Sequence, residues 1–190
     1  MTPLDRLLQR LRVRVALPHI PAGSRVLDVG CADGHLFRTA GARIREGVGI
    51  DPDARPDELL PGGRRPSDRV ATYRIVRGVF PRDLSDPGPF DVIAMLAVFE
   101  HFSETDRPGV VEACRRLLRP GGRVVITVPA PVVDRIVEVL RALHLAHGMD
   151  IEAHHGYRPE DTPRHFVGFR VLRHEPFELG LNHLYVLERV

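Results

Sequence analysis

The chain has 190 residues, 43% of them hydrophobic, with 27 basic residues against 25 acidic ones and a formal net charge of +2. That length supports one domain, able to bury about 70% of its unfolded surface, and charges interspersed along the chain argue against a dedicated nucleic-acid binder. No apolar run of about 18 residues and no signal-peptide pattern occurs, which excludes a helical membrane span and leads to the expectation of a soluble, cytoplasmic protein.

In chain order, the first expected element is a helix from Leu4 to about Ala16. Leu4, Leu7, Leu8, Leu11 and Val15 share its apolar spacing, and Arg6, Arg10, Arg12 and Arg14 fall on other faces. Within residues 1–20 such a helix either packs on the domain or closes over a site as a lid. Arg25 to Val29 then reads as a buried strand, followed by a tight loop and a helix from His35 to about Arg43. A second short strand, Gly47 to Ile50, ends in Asp51-Pro52, and Pro52 stops it. After a Pro/Gly/Arg-rich stretch, Pro61 to Arg69, strands are expected near Tyr73 to Val76 and at Asp91 to Leu96. A helix from Glu104 to Leu118, ended by Pro120-Gly121-Gly122, leads into a buried strand, Arg123 to Val128. Val132 to Leu145 has amphipathic helical spacing, and Arg170 to Phe177 and His183 to Glu188 are strand-like. Strands alternating with helices predict a mostly parallel α/β sheet with right-handed crossovers, in one domain over residues 1–190.

The loop Asp28-Val29-Gly30-Cys31-Ala32-Asp33-Gly34-His35 is the richest in chemistry. A dinucleotide fingerprint needs a second and a third glycine, and Ala32 and His35 stand there instead. No Gly-Lys-Ser/Thr follows, and the chain contains no lysine, so a P-loop fails too. The remaining D-x-G-x-x-x-G suits a nucleoside without phosphates, beside a carboxylate that meets a cation. S-adenosylmethionine (SAM) has that chemistry, with an ammonium, a sulfonium and a ribose. The alternative is an ordinary βα turn with no ligand. Asp51, at the end of the next strand, is placed to reach ribose hydroxyls.

VLDVGCADG, GIDPD, Phe90-Asp91-Val92-Ile93 running to Val98-Phe99-Glu100-His101, and LLRPGGRVVITVP, in that order and with those gaps, resemble the motifs of class I SAM-dependent methyltransferases, over about residues 24 to 130. The subgroup they resemble is the small-molecule type related to ubiquinone- and menaquinone-pathway enzymes. The resemblance implies a Rossmann-like, seven-stranded, mostly parallel sheet with helices on both faces and the last strand antiparallel. It implies methyl transfer from SAM to a small organic acceptor, whether on oxygen, nitrogen or carbon.

By the same resemblance the cofactor is held by Asp28, Gly30, Cys31, Ala32, Gly34, Asp51, Pro52 and Phe80, and by backbone carbonyls at Met95 and Leu96. Cys31 reads as a small residue in a tight loop rather than a nucleophile. The two cysteines, Cys31 and Cys114, suggest neither a disulfide scaffold nor a zinc site. The family commonly has an acid after the third strand for the adenine amine; Val79 replaces it here, leaving Asp83 or a carbonyl for that contact. Met95-Leu96-Ala97-Val98 lacks the Asn/Asp-Pro-Pro-aromatic signature of the amino-methyltransferases of DNA and some proteins, which counts against a nucleic-acid base N-methyltransferase and leaves RNA or protein substrates open.

His101 is the candidate general base, because imidazole titrates near neutral pH; the alternative is that it caps its loop. In the C-terminal third, residues 130–168 are expected to cover the acceptor, with His155 or His154 touching it. His144, His147, His154 and His155 lack a placed acidic partner, so no metal is expected. Two other classes stay open, a SAM-binding regulatory protein without catalysis and, further off, an NAD-dependent oxidoreductase.

Overall fold

The computed structural model describes residues 3–55, 72–130 and 157–190, with side chains from residue 6 onward. Helix α1 (Pro3–Ala16) passes through a 3-10 turn, Leu17–His19, into strand β1 (Ser24–Val29). Helix α2 (His35–Ala40) leads to β2 (Ile44–Asp51), and β3 (Thr72–Arg77) pairs parallel beside it. Then come β4 (Phe90–Leu96), helix α3 (Arg107–Leu117), β5 (Leu118–Pro129), the short helix α4 (Thr162–His165), β6 (Phe169–Phe177) and β7 (Asn182–Arg189).

The seven strands form one sheet in the order β3-β2-β1-β4-β5-β7-β6. Strands β3 to β5 run parallel, and β7 lies antiparallel to both β5 and β6. Strand order reverses between β1 and β4, which opens a crevice at their C-terminal ends.

Alternation along each strand feeds two apolar layers. Val26, Val92, Ala94, Val125 and Leu184 face Val13, Ala16, Leu36 and Phe37 of α1 and α2. Leu27, Ile93, Met95, Ile126 and Tyr185 face Val110, Val111, Cys114 and Leu117 of α3 on the other side. Coverage on both faces explains why these strands read as nearly continuous apolar runs.

Three boundaries differ from the sequence expectation. Helix α3 starts at Arg107 rather than Glu104, because the Ser103 hydroxyl bonds Asp106 Oδ2 at 2.5 Å and the preceding residues form a turn. Pro120-Gly121-Gly122 does not stand between helix and strand. The helix stops at Leu117, and β5 already pairs at Phe90–Leu118, with a register irregularity that absorbs the Pro-Gly-Gly. Helix α2 ends at Ala40, where Gly41 (φ +51°) turns the chain into a 3-10 turn, Gly41–Arg43. The expected helix at Val132 to Leu145, the stretch Pro61 to Arg69, and His144, His147, His154 and His155 lie outside the described residues.

Candidate cofactor and acceptor site

The loop after β1 is folded by backbone conformation and one distant acid. Gly30 (φ +72°) donates to the Ile50 carbonyl at 2.8 Å, and a Cβ there would collide with Val98. Ala32 is left-handed as well (φ +45°), although it is not glycine. The carboxylate of Asp51 holds it, since Oδ2 accepts the Ala32 N–H at 2.9 Å and Oδ1 accepts the Asp53 N–H at 2.8 Å. The acid that ends β2 therefore clamps the loop that ends β1. Gly34 (φ +73°) turns the chain into α2, its N–H on the Cys31 carbonyl at 2.8 Å. Pro52 stands exposed beside this clamp.

Asp28 points to the α1 side of the sheet and is only 4% exposed. Burial first, and then the nearby Asp51 carboxylate, push its carboxyl up to about 8. Burial also pushes the Cys31 thiol far up, and Gly49 leaves room for that sulfur, so Cys31 sits as an inert small side chain. Across the crevice, Ala97 after β4 is a second left-handed residue outside glycine (φ +59°), its N–H on the Thr127 carbonyl at 2.9 Å. Strained backbone gathers on both walls of one crevice, a pattern that accompanies ligand sites.

Between these walls lies a narrow cleft of about 50 Å³, lined by Asp28, Gly30, Cys31, His35, Leu36 and Leu96 and roofed by Gln9, Arg12 and Val13 of α1. Gln9 Nε2 donates to Asp33 Oδ1 of the loop at 3.3 Å. A larger hollow of about 520 Å³ lies elsewhere, between Val111 and Arg115 of α3 and the Arg164–Gly168 segment. Neither strained backbone loop lines it, so the narrower cleft is the better candidate site.

Packing fixes which way two of the expected residues turn their side chains. The Met95 side chain is in the core on the α3 side, because alternation turns it away from Leu96; only its main chain stays at the strand end. Phe80 is 4% exposed and packs in that same core rather than standing open as a stacking surface. Val79 is exposed, and Asp83 is committed locally: Oδ2 accepts the Val79 N–H at 2.8 Å, and both oxygens bind Arg82. The Arg82 guanidinium and the Val79 N–H hold the Asp83 carboxyl at about 2.

His101 closes the 3-10 turn Phe99–His101, half-buried, with its N–H on the Val98 carbonyl at 3.0 Å. Glu100, beside it, is buried. His155 lies outside the described residues.

Sequence reasoning passed over several residues here. Arg107 is buried over the Tyr157 ring, 4.6 Å from its centroid, and a guanidinium nitrogen reaches the Glu100 carbonyl at 3.5 Å. Tyr157 in turn bonds Thr162 at 2.7 Å, tying the segment before β6 to the Glu100-His101 turn. On the opposite face Thr127 and Asn182 are buried, and Thr127 Oγ1 and Asn182 Oδ1 have no hydrogen-bond partner among the described residues. No local pattern marks these residues, because only strand pairing brings them together.

A family model described as a methyltransferase domain matches residues 3–167. The ubiquinone biosynthesis O-methyltransferase of Pseudomonas aeruginosa is 33% identical over 108 residues, 56% of this chain and 44% of that protein. Its counterpart in Xylella fastidiosa is 35% identical over 109 residues, 56% of this chain and 42% of that protein. The match thus spans less than half the length of these curated relatives. Among solved structures, the N-methyltransferase NodS from Bradyrhizobium japonicum, in complex with S-adenosyl-l-homocysteine, superposes with a TM-score of 0.65 at 16% identity, covering 99% of this chain and 88% of that one. The PH0226 protein from Pyrococcus horikoshii gives 0.68 at 15% identity, covering 100% and 92%. At these identities the likeness establishes the fold.

Proposed function

Since the chain belongs to the methyltransferase-domain family, we propose that it binds SAM in the crevice between β1 and β4 and transfers the methyl group to a small organic acceptor. The observation that carries this reading is the clamp of Asp51 on the loop after β1, beside the buried Asp28. The residues fit the cofactor chemically. Gly30 lets backbone pass where any side chain would meet Val98, and Asp28 is a buried acid whose ionised form awaits a cation.

In this reading Asp28 faces the cationic methionine end. Each Asp51 oxygen, having accepted one backbone N–H, keeps a lone pair for a ribose hydroxyl. Carbonyls at Met95 and Leu96 border the methionine side. Gly34, Cys31 and Ala32 supply the loop floor, and Pro52 the rim. Phe80 contributes from beneath, as core support for the adenine end. Helix α1 acts as a lid, because its Gln9, Arg12 and Val13 roof a cleft too narrow for the cofactor until the helix gives way.

When bound, the cofactor supplies an activated methyl group on sulfonium sulfur. The protein then has to align an acceptor and exclude water, and such alignment supplies much of the rate. His101 takes the proton from a hydroxyl acceptor, and the relatives named as O-methyltransferases favour transfer to oxygen.

Calorimetry with SAM, S-adenosylhomocysteine and NAD is the direct test. SAM and its product should bind, and tight NAD binding with none for SAM would sink the reading. With acceptor present, His101→Ala should lower turnover at least tenfold while S-adenosylhomocysteine affinity holds. Untouched turnover would remove the base role.

A further inference from the structure

Resting on the methyl-transfer reading above, we propose that Thr127, Glu178 and Asn182 form an acceptor subsite selective for hydrogen-bond donors, hydroxyl or amine, and against anions. Thr127 pairs with Leu96 on one side and Leu184 on the other, so it continues across the sheet the row that lines the cleft. It lies on the α1 face, by alternation with Val125 of that layer. Asn182 lies on the same face, two residues before Leu184, diagonal to Thr127 at about 7–8 Å between backbones. Both side chains are almost wholly buried, at 0% and 2% exposure.

Their polar atoms are arranged in one sense. The Asn182 amide nitrogen donates to Glu178 Oε2, which fixes the amide's orientation, because a carboxylate accepts only. Asn182 Oδ1 therefore faces away, and among the described residues it has no partner; nor have Glu178 Oε1 and Thr127 Oγ1. Unsatisfied buried polar groups are rare in folded proteins, and three beside one crevice call for a common partner. Two acceptor-only oxygens, one of them on a carboxylate, beside a hydroxyl that either donates or accepts, favour N–H or O–H groups over carboxylate or phosphate.

The backbone that carries them is strained. Glu178 (φ +52°), Leu179 (φ +57°) and Gly180 (φ +84°) are successive left-handed residues in the β6–β7 turn. Leu181 of this turn accepts the Ala130 N–H at 2.8 Å, which anchors it to the end of β5. Helix α1 packs on β5 over this face, so one movement of the lid uncovers both cofactor cleft and subsite.

The test compares wild type with Thr127→Val, which removes the hydroxyl and keeps the shape. Melting temperature without ligand, S-adenosylhomocysteine affinity by calorimetry, and SAM-dependent product formation from catechol, dopamine and benzoate are measured for both. Because the hydroxyl has no partner among the described residues, the variant should melt at the same temperature or higher, with cofactor-product affinity within twofold. Catechol or dopamine should be methylated by wild type in preference to benzoate, and kcat/KM should fall about tenfold in the variant, chiefly through KM. A lower melting temperature would show that a fixed internal partner, such as a trapped water, already holds the hydroxyl, and would overturn the proposal. So would equal use of benzoate, no use of catechol or dopamine, or an unchanged KM in the variant. Failure of wild type to bind S-adenosylhomocysteine at all would instead remove the methyl-transfer reading beneath it.

Discussion

The two edges of the sheet handle charge in opposite ways. At the N-terminal edge, Asp86 accepts from Arg25 at 2.8 Å, from Arg74 at 2.6 Å and from the Gly88 N–H at 2.9 Å. Asp91 accepts from Arg119 at 2.5 Å and from the Arg25 N–H at 2.7 Å. Although burial works against them, these donors hold both carboxyls below the usual range. At the C-terminal edge, Asp28 is more deeply buried than either, its carboxyl is pushed up, and left-handed residues stand in the loops that flank it. One residue type thus does two jobs. Paired aspartates fasten the strand starts, and Asp28, with no ion-pair partner among the described residues, marks where the molecule is built for something other than its own stability.

Substitutions at the two edges should separate these jobs. The largest effect is expected from Asp86→Ala, which removes the buried acid shared by Arg25, Arg74 and the Gly88 N–H. A loss of about 3 kcal/mol in unfolding free energy by denaturant titration follows, with SAM affinity intact in the folded fraction. Loss of SAM binding with little destabilisation would erase the distinction between the edges. Asp51→Ala should act the other way, costing about 1–3 kcal/mol of SAM affinity by calorimetry through the ribose contact and the freed Ala32 N–H.

The smallest effect is the most specific. In the folded protein Asp28 keeps its proton up to about pH 8, whereas the unfolded chain loses it near the ordinary value of 3.8. Between those limits the unfolded state sheds a proton that the folded state holds, so stability falls as pH rises. Asp28→Asn lacks that titration. Its melting temperature should gain on wild type from pH 5 to pH 8 and then run level, while its SAM affinity drops. Wild-type SAM binding, which favours the ionised acid, should release protons below pH 8 and strengthen toward it. A melting difference independent of pH would mean that Asp28 is ionised in the folded protein.

Much of this was legible in the sequence, and the reason is locality. Asp28, Gly30 and Gly34 belong to a continuous strand–turn–helix pattern, and Asp51 ends the next strand, so residue spacing alone brings them together. Even so, the clamp of Asp51 on Ala32 was not foreseen, because a ribose role does not require it. Phe80 and Met95 were placed by position along the chain, and only packing reveals which way their side chains turn. Pro120-Gly121-Gly122 reads as punctuation, yet pairing at Leu118 draws it into a strand. Thr127, Glu178 and Asn182 carry no motif at all. Their meaning depends on an antiparallel partner some 55 residues away, as at Thr127↔Leu184, and on hydrogen bonds that are missing.

The position of β7 carries one more consequence. Among the described residues β6 is paired to β7 alone, while β7 is paired to β5 as well. Strand β6 therefore hangs on the sheet through its neighbour, and β7 gains its second partner only when the hairpin docks on β5 as a unit. Folding at this end waits on contacts distant in sequence, which form slowly. A pull applied beyond residue 182 would unzip two strands for the force of one interface, leaving the end of β5, with Thr127 in it, as a bare edge.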